Sequence, residues 1–147
     1  MAQTPTPQGA HGPSGSVAVK PKPLALVGGL LLIVSAFLPW ISNGGSLTGF
    51  DLPVQVLWDF ETGDGPVKLG FVLVAIGAIG GGLSLGQRTT WVRRLCGSIG
   101  VAIVLGFAAQ LYRAIDASGG SIGDVFGTIG VGVYVALAGA VALQISR

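Results

Sequence analysis

The densest group of potential metal ligands in the chain lies in "WDFETGDG", where Asp59, Glu61 and Asp64 bring three carboxylates close together. Hard oxygen donors of this kind suit calcium, but a calcium-binding hand needs a longer ligand series ending in a bidentate glutamate, and this spacing lacks it. A solvated acidic turn is the reading that fits. His11 stands alone near the N-terminus, and the single cysteine, Cys96, has no catalytic companion in the sequence. Neither a metal cluster nor a nucleophile–base pair can be assembled from them, and Cys96 reads as a small packing residue. The glycine runs "GAIGGG" and "GTIGVG" match neither dinucleotide nor P-loop spacing and lie inside apolar stretches. The expectation is a protein that is not an enzyme, with no catalytic residues, no cofactor and no metal.

The elements that would carry these residues are apolar throughout. Half of the residues are hydrophobic and only 10% are charged, and the mean hydropathy is +0.75, a balance that points to an integral membrane protein. Four apolar runs of near-spanning length occur, at about Leu24–Ile41, Leu69–Leu85, Leu95–Leu111 and Val125–Ile145. The fold class expected is therefore an all-α membrane protein, a bundle of four transmembrane helices at about 24–41, 67–86, 92–115 and 125–146. These form one domain, 24–147, behind a disordered cytoplasmic tail, 1–23, whose Pro, Gly, Ser, Thr and Gln offer no periodic apolar face. Residues 1–45 are not read as a cleaved signal peptide, because the charges lie far from Met1 and no small-residue cleavage site follows the apolar run.

Charge is segregated along this plan. Lys20, Lys22, Arg88, Arg93, Arg94 and Arg147 fall on one side, and every acid in the chain falls on the other, with Lys68 and Arg113. Basic residues near membrane ends are retained in the cytoplasm, so both termini are expected there, in a multi-pass plasma membrane protein. The net charge of +2 then reflects topology, and nucleic acid is not an expected partner. No Asp, Glu, Lys or His lies in the middle of a span, which argues against a proton-coupled or ion-coupled transporter. Gln110, Tyr134, Thr128, Ser35 and Ser84 are the polar groups at membrane depth, and interhelical hydrogen bonding is their expected role.

Aromatic and small residues complete the pattern. Trp40, just after Pro39, and Trp91 and Tyr112 at either end of the third run suit the headgroup layer as interface anchors. Gly77 and Gly81, and also Gly82 and Gly86, stand four apart and would let helices approach closely. Beyond the first run, "DLPVQVLWDF" reads either as a helix, with Val54, Leu57 and Trp58 on one face, or as a strand alternating Leu52, Val54, Val56, Trp58 and Phe60. A short interfacial helix is favoured, since a strand there needs a partner and no second strand is evident on that side. This amphipathic segment of the first extracytoplasmic loop either caps its own bundle or meets another protein through Phe50, Leu57, Trp58 and Phe60.

"LLLIVSAFLPWIS" followed by "SLTGFDLPVQVLWD" resembles the small four-helix membrane proteins of unknown function common in actinobacteria, where the first helix ends in Leu-Pro-Trp and leads into an acidic, proline-bearing loop. The resemblance implies a plasma membrane location and no active site. The function expected is that of a non-enzymatic accessory or scaffold subunit, with the lipid bilayer and a membrane protein or a second copy as partners. An oligomeric pore or small-molecule carrier is the alternative, and a lipid-modifying enzyme is a third, less favoured reading.

Overall fold

The computed structural model describes residues 23–43, 45–59, 65–83 and 90–146. The expected tail falls outside them except for Pro23, which opens the first helix, a position where its missing N–H costs nothing. Among the described residues there are five helices: α1 (Pro23–Phe37), α2 (Leu69–Gly82), α3 (Thr90–Ala117), α4 (Ile122–Thr128) and α5 (Val131–Ile145). Two short strands, β1 (Pro39–Ile41) and β2 (Leu47–Thr48), and a 3-10 turn (Val54–Leu57) lie between α1 and α2. The protein is mostly helical, as expected.

Helix α1 packs against α2 and α5, and α3 packs against α5 and α2, so four helices close into a ring. Neighbours run antiparallel. Gly28 lies against Gly139 and Leu143, while Gly132, at the start of α5, lies against Leu38 at the end of α1. The core between them is lined by Leu32, Leu69, Leu73, Val104, Phe107 and Leu143. One end of the ring carries Arg93 and Arg94 at the start of α3, and the other carries Asp51, Asp59, Asp116 and Asp124. We call these the arginine end and the acidic end.

Among the described residues, only α3 is long and apolar enough to cross a membrane by itself, at 28 residues. Helices α1, α2 and α5 hold 15, 14 and 15 residues, or roughly 21–23 Å at 1.5 Å per residue, against a hydrocarbon core of about 30 Å.

The expected first helix stops early. Helix α1 ends at Phe37 instead of continuing to Ile41, because Leu38 precedes a proline and is pushed out of the helical region. Pro39 then begins a strand: β1 pairs antiparallel with β2, joining Pro39 to Thr48 and Ile41 to Leu47. The acidic end thus holds the strand pair that the sequence did not reveal. The expected fourth helix is also divided. After α4, Ile129 bridges to Ile41 and the Gly130 N–H donates to the Trp40 carbonyl at 2.8 Å. Those two residues are held extended by β1, and α5 starts only beyond them. Helix α3 ends as its residues dictate: Gly119 adopts a left-handed φ of 78°, and the Gly120 and Gly119 N–H groups donate to the carbonyls of Ile115 and Asp116 at 2.9 and 3.0 Å. Helix α4 starts with a capping box, Ser121 with Asp124.

Candidate interaction surface

The acidic end is a knot of backbone hydrogen bonds centred on the exit of α1. Pro39 has no N–H to give the Ser35 carbonyl, and the Trp40 indole supplies that donor instead, at 2.9 Å. Trp40 is therefore no interface anchor: it is 0% exposed, with its ring edge-on to Phe107 at a centroid distance of 5.2 Å. The next carbonyl, Ala36, accepts from the Gly49 N–H at 3.1 Å, and Gly49 in turn accepts from Gly70 in α2. Leu52 accepts from Leu69, Val67 from Val54, and Thr128 from Ser42. The segment between α1 and α2 is thereby tied to α1, α2 and the α4–α5 junction.

Of "DLPVQVLWDF", only Val54–Leu57 is helical, as one 3-10 turn. Val56 and Leu52 are buried beneath it, and Leu57 is half-buried beside Gly106 of α3. Gln110 donates to the Leu57 carbonyl at 3.2 Å, so its amide serves this turn and not another helix. Phe50 is half-buried between Phe37 and Phe71, at centroid distances of 4.9 and 5.2 Å. Trp58 projects outward, 62% exposed. Phe60 lies outside the described residues. The four residues expected to meet a partner are thus not one surface: Phe50 and Leu57 fasten the cap to the helices, and Trp58 is presented outward.

Two carboxylates organise turns here. Asp51 accepts from the backbone N–H and the hydroxyl of Thr48 at 2.8 and 2.7 Å, and these donors, helped by Lys68, hold its carboxyl below the ordinary carboxylate range. Asp124 accepts the same pair from Ser121 at 2.7 and 2.9 Å and is lowered for the same reason.

The other polar groups stay local. Ser35 donates to Leu32 within α1, and Thr128 donates to Asp124 within α4. Tyr134 is exposed on the outside of α5. A bond between helices is made instead by Gln144 of α5, which donates to Ser98 of α3 at 3.4 Å. Ser84 lies outside the described residues.

The glycines divide sharply. A Cβ at Gly77 would meet the Gly29 carbonyl oxygen at 2.6 Å, and one at Gly29 would meet Gly81 Cα at 2.7 Å. At Gly81 the nearest atom is Gly29 Cα, 3.2 Å away. An added Cβ at Gly82 would meet nothing within 4 Å, so Gly82 is not one of the tight contacts, and Gly86 lies outside the described residues. Gly28, Gly97 and Gly139, not among the residues expected to pack, are also tight, each with backbone 2.8 Å from an added Cβ, against 2.6 Å at Gly77. A shallow apolar groove remains on the outer side of the α1–α2 contact, lined by Leu26, Leu30, Ile33, Ala78 and Gly82 among others. Trp91 and Tyr112 are exposed on α3, and Cys96 is buried against Gly80.

Sequence reasoning missed Arg93. It stands in the first turn of α3 and is 0% exposed. Its Nη2 donates to Thr90 Oγ1 at 3.2 Å, while Nε and Nη1 are buried without partners. The signal was available: Arg93 shares a helical face with Cys96, Gly97, Gly100, Val104 and Phe107, all buried.

Among the described residues no group of three or more His, Cys, Asp or Glu is placed to hold a metal ion. No family model, curated protein or solved structure matches this chain.

Proposed function

We propose that this chain is an integral membrane protein of the plasma membrane, a four-span bundle with its arginine end in the cytoplasm, acting as a non-enzymatic accessory or scaffold subunit. The observation that carries the reading is the apolar outer surface of the ring, where residues such as Phe71 (63% exposed) and Leu105 (60% exposed) face outward from every side of a core already closed by glycine contacts. Contiguous apolar surface on this scale belongs against lipid or another protein. The short helices reach across with help from their ends: β1 and the capping segment extend α1 and α2 at the acidic side, and α4 extends α5.

Within that reading, the groove between α1 and α2 suits a further helix, and Trp58 suits the rim of a partner. Small residues let membrane helices approach where lipid supplies no hydrophobic drive, and large aromatic side chains dominate interface energies. The likeness to the small actinobacterial membrane proteins agrees with the location. A pore built by several copies is supported less well, since Gln110 is engaged by the Leu57 carbonyl and Tyr134 lies on the outside of α5.

The test is purification of the full chain in mild detergent with identification of what accompanies it. A stable complex with a different membrane protein supports the scaffold reading. A homo-oligomer that conducts in planar bilayers would replace it with the pore, and a monomer retaining only a lipid substrate would replace it with an enzyme.

A further inference from the structure

Among the described residues, the arginine end holds a charge without a counter-charge. Helical side chains lean toward the N-terminus, and the bond from Arg93 Nη2 to Thr90 Oγ1 lays the guanidinium against the start of α3. The first backbone N–H groups of an α-helix have no acceptor inside the helix, and the macrodipole adds positive potential at the same place. Arg94, exposed beside it, adds another cation. Every described carboxylate lies at the acidic end. Asp116, on the same helix, is about 35 Å away at 1.5 Å per residue.

An arginine that merely reached for water would be exposed at its tip, but here the whole side chain is covered and two of its nitrogens are unpartnered. A buried charge is costly unless paired. The planar guanidinium fork matches the oxygens of a phosphate, and a helix N-terminus is a ready anion site. We propose that the start of α3 binds a phosphate group, with Arg93 as its principal ligand and the first-turn N–H groups beside it. In the membrane that phosphate belongs to the headgroup of an anionic phospholipid, a source that rests on the membrane reading above, whereas the phosphate site itself does not.

The experiment uses the full chain, stripped of lipid in a non-ionic detergent. It compares phosphatidylglycerol, phosphatidylcholine and inorganic phosphate by calorimetry, with bound lipid counted by native mass spectrometry. The wild type should bind phosphatidylglycerol in preference to phosphatidylcholine. Its Kd should weaken about tenfold or more in both Arg93→Met and Arg93→Lys, the second keeping charge but not the fork, as expected for a lost charged hydrogen bond. Arg113→Gln, an exposed arginine at the acidic end of α3, should bind like the wild type. If Arg93→Met does not fold, Arg93→Lys alone decides. Binding of inorganic phosphate but not of phosphatidylglycerol, lost in the Arg93 variants, supports the site and overturns the lipid source. Unchanged binding of both ligands in the Arg93 variants, or no binding by the wild type, overturns the proposal. Resistance of the protein to alkaline carbonate extraction is scored separately, so failure of the membrane reading is distinguishable from failure of the site.

Discussion

Gly77 and Gly82 offer a matched pair of substitutions, since both lie in α2 and differ only in what an added methyl group would meet. At Gly77 the methyl would sit 2.6 Å from the Gly29 carbonyl oxygen and 2.9 Å from Ile33 Cγ1. The first of these is backbone, held in α1, and cannot rotate away. Relief requires α1 and α2 to separate, which loosens the reciprocal contact of Gly29 with Gly81 as well. Overpacking of this kind costs about 1–3 kcal/mol, partly offset by a gain of up to about 1 kcal/mol for alanine over glycine in a helix. The net expectation for Gly77→Ala is a loss of about 0–2 kcal/mol, which places it about 1–3 kcal/mol below a Gly82→Ala variant that keeps the propensity gain. Gly82→Ala, with nothing within 4 Å, keeps only the propensity gain and should be neutral or slightly stabilising. Reversible unfolding of both variants in mixed micelles, followed by circular dichroism, measures the difference. Equal stabilities would refute the claim that α1 and α2 touch through their backbones.

Other expectations follow from the acidic end. Trp40→Phe keeps an aromatic ring beside Phe107 but removes the indole donor to the Ser35 carbonyl, which retains the Leu38 N–H at 3.3 Å, and unfolding should show a loss of about 0.5–1.5 kcal/mol; an unchanged melting temperature would mean that water or another group replaces it. Asp51 and Asp124 are held below the ordinary carboxylate range by their N–H and O–H donors. Their contribution is therefore present above the unfolded-state pKa and lost as pH falls, from about pH 4 downward. The double variant Asp51→Asn, Asp124→Asn should melt below the wild type at neutral pH and lose less on acidification, and parallel melting curves across pH would contradict this. Trp58→Ser should leave the melting temperature unchanged, because that side chain projects outward, yet release a co-purified partner; a variant that melts earlier and keeps its partner would assign Trp58 to the cap alone.

What could be read from the sequence was what depends on local composition. Gly77 and Gly81 stand one turn apart on a single face, and that spacing was enough to place them at a close helix contact. Gly82 has the same spacing to Gly86, but an added Cβ there would meet nothing within 4 Å, a distinction that glycine spacing cannot express. The break in the last helix was hidden for a different reason. Residues 125–143 carry no charge and, apart from Thr128 and Tyr134, are apolar or small, and the interruption at Ile129 and Gly130 is imposed by β1, far away in sequence. Trp40 illustrates the limit of pattern reasoning most clearly: a tryptophan after a proline at a helix exit fits the membrane rim, but the same proline denies the Ser35 carbonyl its helical donor, leaving it the Leu38 N–H at 3.3 Å, and the inward-turned indole adds a second donor at 2.9 Å. Arg93 counts in the sequence only as one of the charges marking the cytoplasmic side, because its type outweighs its position on the buried face of α3.

The sidedness of the proposed four-span bundle is the claim on which the functional reading depends, and site-directed thiol labelling measures it most directly. With Cys96 replaced by alanine, single cysteines at Thr90, Ser46 and Ser118 would be treated in intact cells with a membrane-impermeant maleimide. The account predicts labelling at Ser46 and Ser118, and labelling at Thr90 only after the membrane is opened. External labelling at Thr90, or equal labelling at all three positions before and after permeabilisation, would contradict it.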